Sequence, residues 1–97
     1  MFSNAIENND FSELELHLQS YKNAYGRLKE LTVPNELVSI HKEQLEIFSK
    51  LIKIYEAIKE INTDPLKANL ALQAYQTTTE QFLGWLQKLS EFIQAHP

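Results

Sequence analysis

Apolar side chains recur every three or four residues through three long stretches of this chain, and only two proline-bearing breaks, Val33-Pro34 and Asn62-Thr63-Asp64-Pro65, separate those stretches. That spacing keeps side chains on one stripe of an α-helix, whereas in a strand it would scatter them over both faces. Helices are the consequence. With two glycines and three prolines among 97 residues, few positions suit the tight turns of a small all-β fold. The expected fold is therefore all-α, an up-down-up bundle of three long helices over about 12–31, 34–61 and 65–95, forming a single domain over 1–97.

In the first stretch Phe11, Leu14, Leu18, Tyr21, Tyr25, Leu28 and Thr32 step by three and four. Ser12 followed three residues later by Glu15 reads as a capping box, which marks the start. Residues 1–10 precede this stretch as a loosely attached segment, in which Phe2, Ala5 and Ile6 offer a short helical turn or loose packing over one end. Proline disfavours the α conformation in the residue before it and suits the first turn of a helix, so Val33-Pro34 ends one helix and opens the next. Asp64 as N-cap with Pro65 at the first helical position is the clearest start signal in the chain. Beyond it, Ala68, Leu72, Tyr75, Phe82, Leu86, Leu89 and Ile93 share a stripe, with Thr79 between Tyr75 and Phe82. Thr77, Thr78 and Thr79 are modest helix formers, so a break near 77–80 giving a fourth helix stands as the alternative to one long helix.

Several function classes are disfavoured at this level. The formal charge is −4 and the nine basic residues are scattered, which provides no basic stripe for nucleic acid or anionic lipid. Without cysteine there is no disulfide, thiolate nucleophile or Cys-ligated zinc. The first ten residues lack the features of a signal peptide, and no run reaches the ~18 apolar residues of a membrane span, so a soluble chain is expected, cytoplasmic on its own showing. No Gly-rich phosphate loop, HExxH or nucleophile elbow occurs, so no catalytic residue and no cofactor is expected. No metal site is expected either: paired Glu-x-x-His motifs are absent, Glu13 and His17 read as an exposed i,i+4 pair, and His96 lies near the end.

The middle stretch is the unusual one. Val38, Leu45, Phe48, Ile52 and Tyr55 form one stripe, and Ile40, Ile47, Leu51, Ile54, Ile58 and Ile61 form a second, together covering roughly 220° of the helix surface. Either this helix lies between the other two, or the second stripe joins another chain through Ile47, Ile54 and Ile61. His41 and Gln44 interrupt the arc. Each is a core or rim group needing a hydrogen-bond partner, or, for His41 with an ordinary pKa near 6.5, a proton-responsive switch at an interface. Gly84 leaves room for a neighbouring side chain within the last helix, and Trp85 beside it is either a core cap or a binding anchor.

A non-catalytic module for protein–protein interaction or scaffolding, with a protein partner or self-association, is the function these features favour. The rival is a small apolar-ligand or lipid carrier in which Tyr21, Tyr25, Phe48, Tyr55, Tyr75, Phe82 and Trp85 line a cavity.

Leu31-Thr32-Val33-Pro34, His41 seven residues on, Asp64-Pro65-Leu66-Lys67-Ala68 and Ala74-Tyr75 together resemble uncharacterised all-helical domains of exported or membrane-anchored proteins from small-genome candidate-phylum bacteria. The resemblance spans Leu28 to Tyr75 and implies an extracytoplasmic location. It carries no activity with it. The small hairpin proteins of type VII secretion are a poorer match, because they place Trp-x-Gly in a turn, whereas Gly84-Trp85 lies within a helix stretch.

Overall fold

The computed structural model describes residues 7–8 and 10–95. The expectations for Phe2, Ala5, Ile6 and His96 fall outside them. Among the described residues three long helices and no strand are present: α1 (Ser12–Glu30), α2 (Val38–Lys59) and α3 (Pro65–Ala95). The all-α bundle expected from the periodicity is what forms.

Helix ends show where local chemistry departs from the sequence reading. Ser12 and Glu15 do not make a capping box. Instead the Ser12 amide and hydroxyl both donate to Asp10 Oδ1, at 3.1 and 2.7 Å, and these bonds hold the Asp10 carboxyl below its ordinary value. Glu15 is drawn away to pair with Lys59 of α2. Pro34 does not open α2: its ψ of 153° is extended, and its carbonyl accepts the Leu37 amide at 2.9 Å, closing a 3₁₀ turn over Asn35–Leu37 before α2 begins. By contrast Asp64 caps α3 as expected, its Oδ1 accepting the Lys67 amide at 3.1 Å.

α3 runs unbroken through the three threonines. Thr78 is buried among the packed helices, and tertiary burial of this kind outweighs the few tenths of a kcal/mol that each threonine costs a helix. At roughly 1.5 Å per residue, 31 residues span about 46 Å, and α3 thus sets the 47 Å long dimension of the molecule. The radius of gyration is 15.5 Å, against about 12.5 Å for a compact chain of this length.

α2 lies between its neighbours and packs against both, while no Cα of α1 comes within 8 Å of any Cα of α3. One end of the molecule is tightly closed: Leu14 and Leu18 of α1, Ile54, Tyr55, Ala57 and Ile58 of α2, and Ala71 of α3 form one buried cluster. Alanines here let the backbones approach. Toward the other end Ile47, Leu51 and Trp85 form a second buried cluster, with Phe48 and Phe82 packed against it. An unbroken chain of rings, Tyr75–Tyr55–Tyr21–Phe48–Phe82–Trp85, links the three helices with centroid separations of 5.4 to 6.3 Å.

Gly26 and Gly84 are both helical, and a Cβ added at either meets nothing within 4 Å. Gly84 therefore admits no side chain from within the molecule, contrary to its sequence reading. Gly84→Ala should raise stability by about 1 kcal/mol, the helix-propensity difference alone, which a pair of thermal melts would read as a rise of roughly 5 °C. A fall in Tm would show that the glycine serves a contact beyond this chain.

Candidate functional site

Because the backbones of α1 and α3 stay more than 8 Å apart at every Cα pair while both pack on α2, a cleft runs between them, floored by α2. At about 100° per residue, Ile40, Gln44 and Leu51 fall on one line along α2, between the side that carries α1 and the side that carries α3. Leu14, Leu18, Ala71 and Ile58 close one end of it. At its middle a small space of about 90 Å³ is bounded by Tyr21, Leu51, Tyr75, Thr79 and Phe82. At the open end lies a groove of about 220 Å³, where Leu28 of α1 and Leu31 just after it face Trp85 and Leu89 of α3 across Ile40, His41 and Gln44, with Val33 and Leu37 at its head.

Sequence-expected residues converge here in part. His41, Gln44 and Trp85 line the same groove, although 41 to 44 residues separate the first two from the third. Trp85 forms its wall. The indole is 5% exposed, stacks on Phe82 at 5.7 Å between centroids, and donates from Nε1 to the Ile40 carbonyl at 2.8 Å. It is an interior anchor rather than an exposed binding group. Ile47 and Ile54 are likewise buried by the chain's own helices, and Ile61 is half-buried in the turn after α2. Ile47 and Leu51 cluster with Trp85 of α3, whereas Ile54 and Ile58 share a cluster with Leu14 and Leu18 of α1 and Ala71 of α3.

His41 and Gln44 are half-buried at the rim, and among the described residues neither side chain takes a hydrogen bond. Two polar groups with open valences at the edge of an apolar groove are well placed to fix the orientation of an incoming chain. The groove walls Leu28, Leu31, Val33, Leu37 and Leu89 were not singled out by spacing. Leu31 carried a signal, since it is a large apolar residue off the α1 stripe, and it stays 57% exposed.

Other surfaces have less to offer. A wider, shallow depression of about 370 Å³ between α1 and α2 is bounded by Lys22, Tyr25, Ser49, Ile52, Lys53 and Glu56. Its charges are partly spent on each other, Lys22 pairing with Glu56 at 3.5 Å. Glu13 and His17 stand 4.0 Å apart on the exposed side of α1, as the i,i+4 spacing implied. Among the described residues no group of three or more His, Asp or Glu could hold a metal ion, and no helix is long and apolar enough to cross a membrane.

Comparison of the chain with protein-family models, with curated proteins and with solved structures returned no match.

Proposed function

We propose that this chain is a non-catalytic protein-interaction module that receives an apolar helix of a partner in the cleft between α1 and α3. One observation carries the reading: two helices of a three-helix bundle leave an apolar gap, where such bundles ordinarily close. Amphipathic helices bind in grooves of this kind by inserting side chains spaced at three and four residues. Leu28, Leu31, Ile40 and Leu89 would take the apolar anchors, and His41 and Gln44 would pair with polar groups at the margin.

The carrier reading has less support. Tyr21, Phe48, Tyr55, Tyr75, Phe82 and Trp85, expected to line a cavity, pack edge and face against one another and leave only about 90 Å³ between Tyr21, Tyr75 and Phe82, and Tyr25 borders only the shallow depression between α1 and α2.

Native mass spectrometry of the freshly purified protein separates the two. An assembly with any polypeptide, its own kind or another, supports the module. A bare 11.3 kDa monomer that also ignores a panel of amphipathic helical peptides, or a monomer bearing a lipid-sized adduct, overturns it.

A further inference from the structure

Positive charge is unevenly neutralised over this acidic chain. Lys22, Lys50, Lys59, Lys67 and Lys88 each stand beside a carboxylate, as thirteen acidic against nine basic residues would lead one to expect. Lys53 differs: among the described residues no carboxylate pairs with it, and its ammonium makes no hydrogen bond. It borders the depression of about 370 Å³ between α1 and α2, together with Lys22, Tyr25, Ser49, Ile52 and Glu56. Spacing explains how these side chains meet. Ser49, Ile52, Lys53 and Glu56 are three, one and three residues apart and so share one face of α2, while Lys22 and Tyr25, three apart, share a face of α1.

We propose that this depression binds a small organic oxyanion, its charged group shared by Lys22 of α1 and Lys53 of α2 and its apolar body resting on Ile52. Three features select that class of ligand. The first is charge. Two ammonium groups from different helices border one hollow against a single carboxylate, Glu56, and an anion between them replaces their mutual repulsion with two attractions. The Lys22–Glu56 contact, at 3.5 Å between groups 45% and 51% exposed, is screened by water and readily exchanged for one with a ligand. The second is hydrogen bonding. Ser49 and Tyr25, which border the same space, carry hydroxyls with no hydrogen-bond partner among the described residues, and both can donate to an oxyanion. Lys29, which also lacks a carboxylate, lies 5.1 Å over the Tyr25 ring and adds to the positive field. The third is shape. Ile52 and the Tyr25 ring give the hollow an apolar surface, and its volume lies within the ~300 to 1,000 Å³ that small molecules occupy. The site shares no residue with the groove between α1 and α3, so it stands or falls independently of the interaction-module reading.

The test titrates phenyl phosphate into the full chain and follows backbone amide shifts by NMR, with inorganic phosphate and phenol as the two halves of the probe. Phenyl phosphate should saturate at about millimolar concentration, move the amides of Lys22, Tyr25, Ser49 and Lys53, and bind about tenfold more tightly than either half. Lys53→Met should weaken it about tenfold, whereas Lys42→Met, which removes another lysine without a carboxylate partner near the start of α2, should leave it unchanged. Glu56→Gln should tighten it severalfold by releasing Lys22. All three positions are exposed, so circular dichroism should show the same helicity in every variant. No saturable shift up to about 10 mM, or equal affinity for phenol, overturns the anion site. Inorganic phosphate binding as tightly as phenyl phosphate overturns the organic ligand. A Lys53→Met variant that behaves like Lys42→Met, or a Glu56→Gln variant that binds more weakly than the parent, overturns the arrangement of the two lysines.

Discussion

Trp85→Ala should destabilise the protein by about 4 kcal/mol and lower its Tm by roughly 20 °C. The side chain is almost fully buried, so truncation leaves a void between α2 and α3 instead of a surface dent. It also removes the ring stacked on Phe82 and the donor to the Ile40 carbonyl. Against the ~5 to 15 kcal/mol available to a domain of this size, such a loss threatens folding at physiological temperature. Trp85→Phe separates the contributions. A phenyl ring can keep the contact with Phe82 while the hydrogen bond is lost, so about 1 to 2 kcal/mol of the effect should remain, measured by urea unfolding. If the alanine variant melts within a few degrees of the parent, Trp85 is not the anchor that its burial indicates, and the groove wall it forms is correspondingly soft.

The fold was largely legible because its signals are local. Apolar spacing defined the three helices, and Asp64-Pro65 placed the start of α3 by a chemistry that the geometry repeats, a carboxylate accepting the Lys67 amide. Where signals competed, the reading slipped. Ser12-x-x-Glu15 satisfies the capping pattern, but Asp10 lies closer to the free amide and Lys59 claims Glu15 from another helix. Neither competitor is visible in a four-residue window. Pro34 suits the first turn of a helix by its φ, but its ψ remained free, and a 3₁₀ turn took the place of the first α turn.

The site was harder to see, for a geometric reason. On α3, residues one apart differ by about 100°, so Ala71 and Leu72, or Trp85 and Leu86, face different sides of the helix although each is spaced three or four residues from Tyr75, Phe82 or Leu89. Periodicity alone assigns the larger apolar residue to the core. The interior instead takes Ala71 and Thr78, small groups that allow close approach to α2, and leaves Leu86 and Ile93 outside. The wide apolar arc of α2 allowed either a central helix or an interface with another chain, and α2 is the central helix, packed on both sides. His41, Gln44 and Trp85 were singled out separately, and only the antiparallel course of α2 and α3 brings them to one groove.

Stability should fall steeply above pH 10, and Tyr55→Phe should flatten that fall. Tyr55 is buried at the centre of the ring chain, and its hydroxyl is hydrogen-bonded with those of Tyr75 and Tyr21, one tyrosine from each helix. Burial is the main reason that its pKa rises far above the ordinary 10.0, with the two neighbouring tyrosines adding to the rise. The sign follows from proton counting. Above pH 10 the unfolded chain releases this proton while the folded chain retains it, so the folded state alone bears the proton and loses about 1.4 kcal/mol of stability per pH unit. Below pH 10 both states are protonated and the contribution is constant. In Tyr55→Phe that component of the slope disappears, but the hydroxyls of Tyr21 and Tyr75 lose their shared partner, which should cost about 1 to 2 kcal/mol at pH 7. The two curves should therefore converge as pH rises, with the variant less stable at pH 7 and level with the parent near pH 11, as measured by urea unfolding at half-unit steps. Parallel curves would mean that water reaches Tyr55 and that the three hydroxyls do not form a closed set.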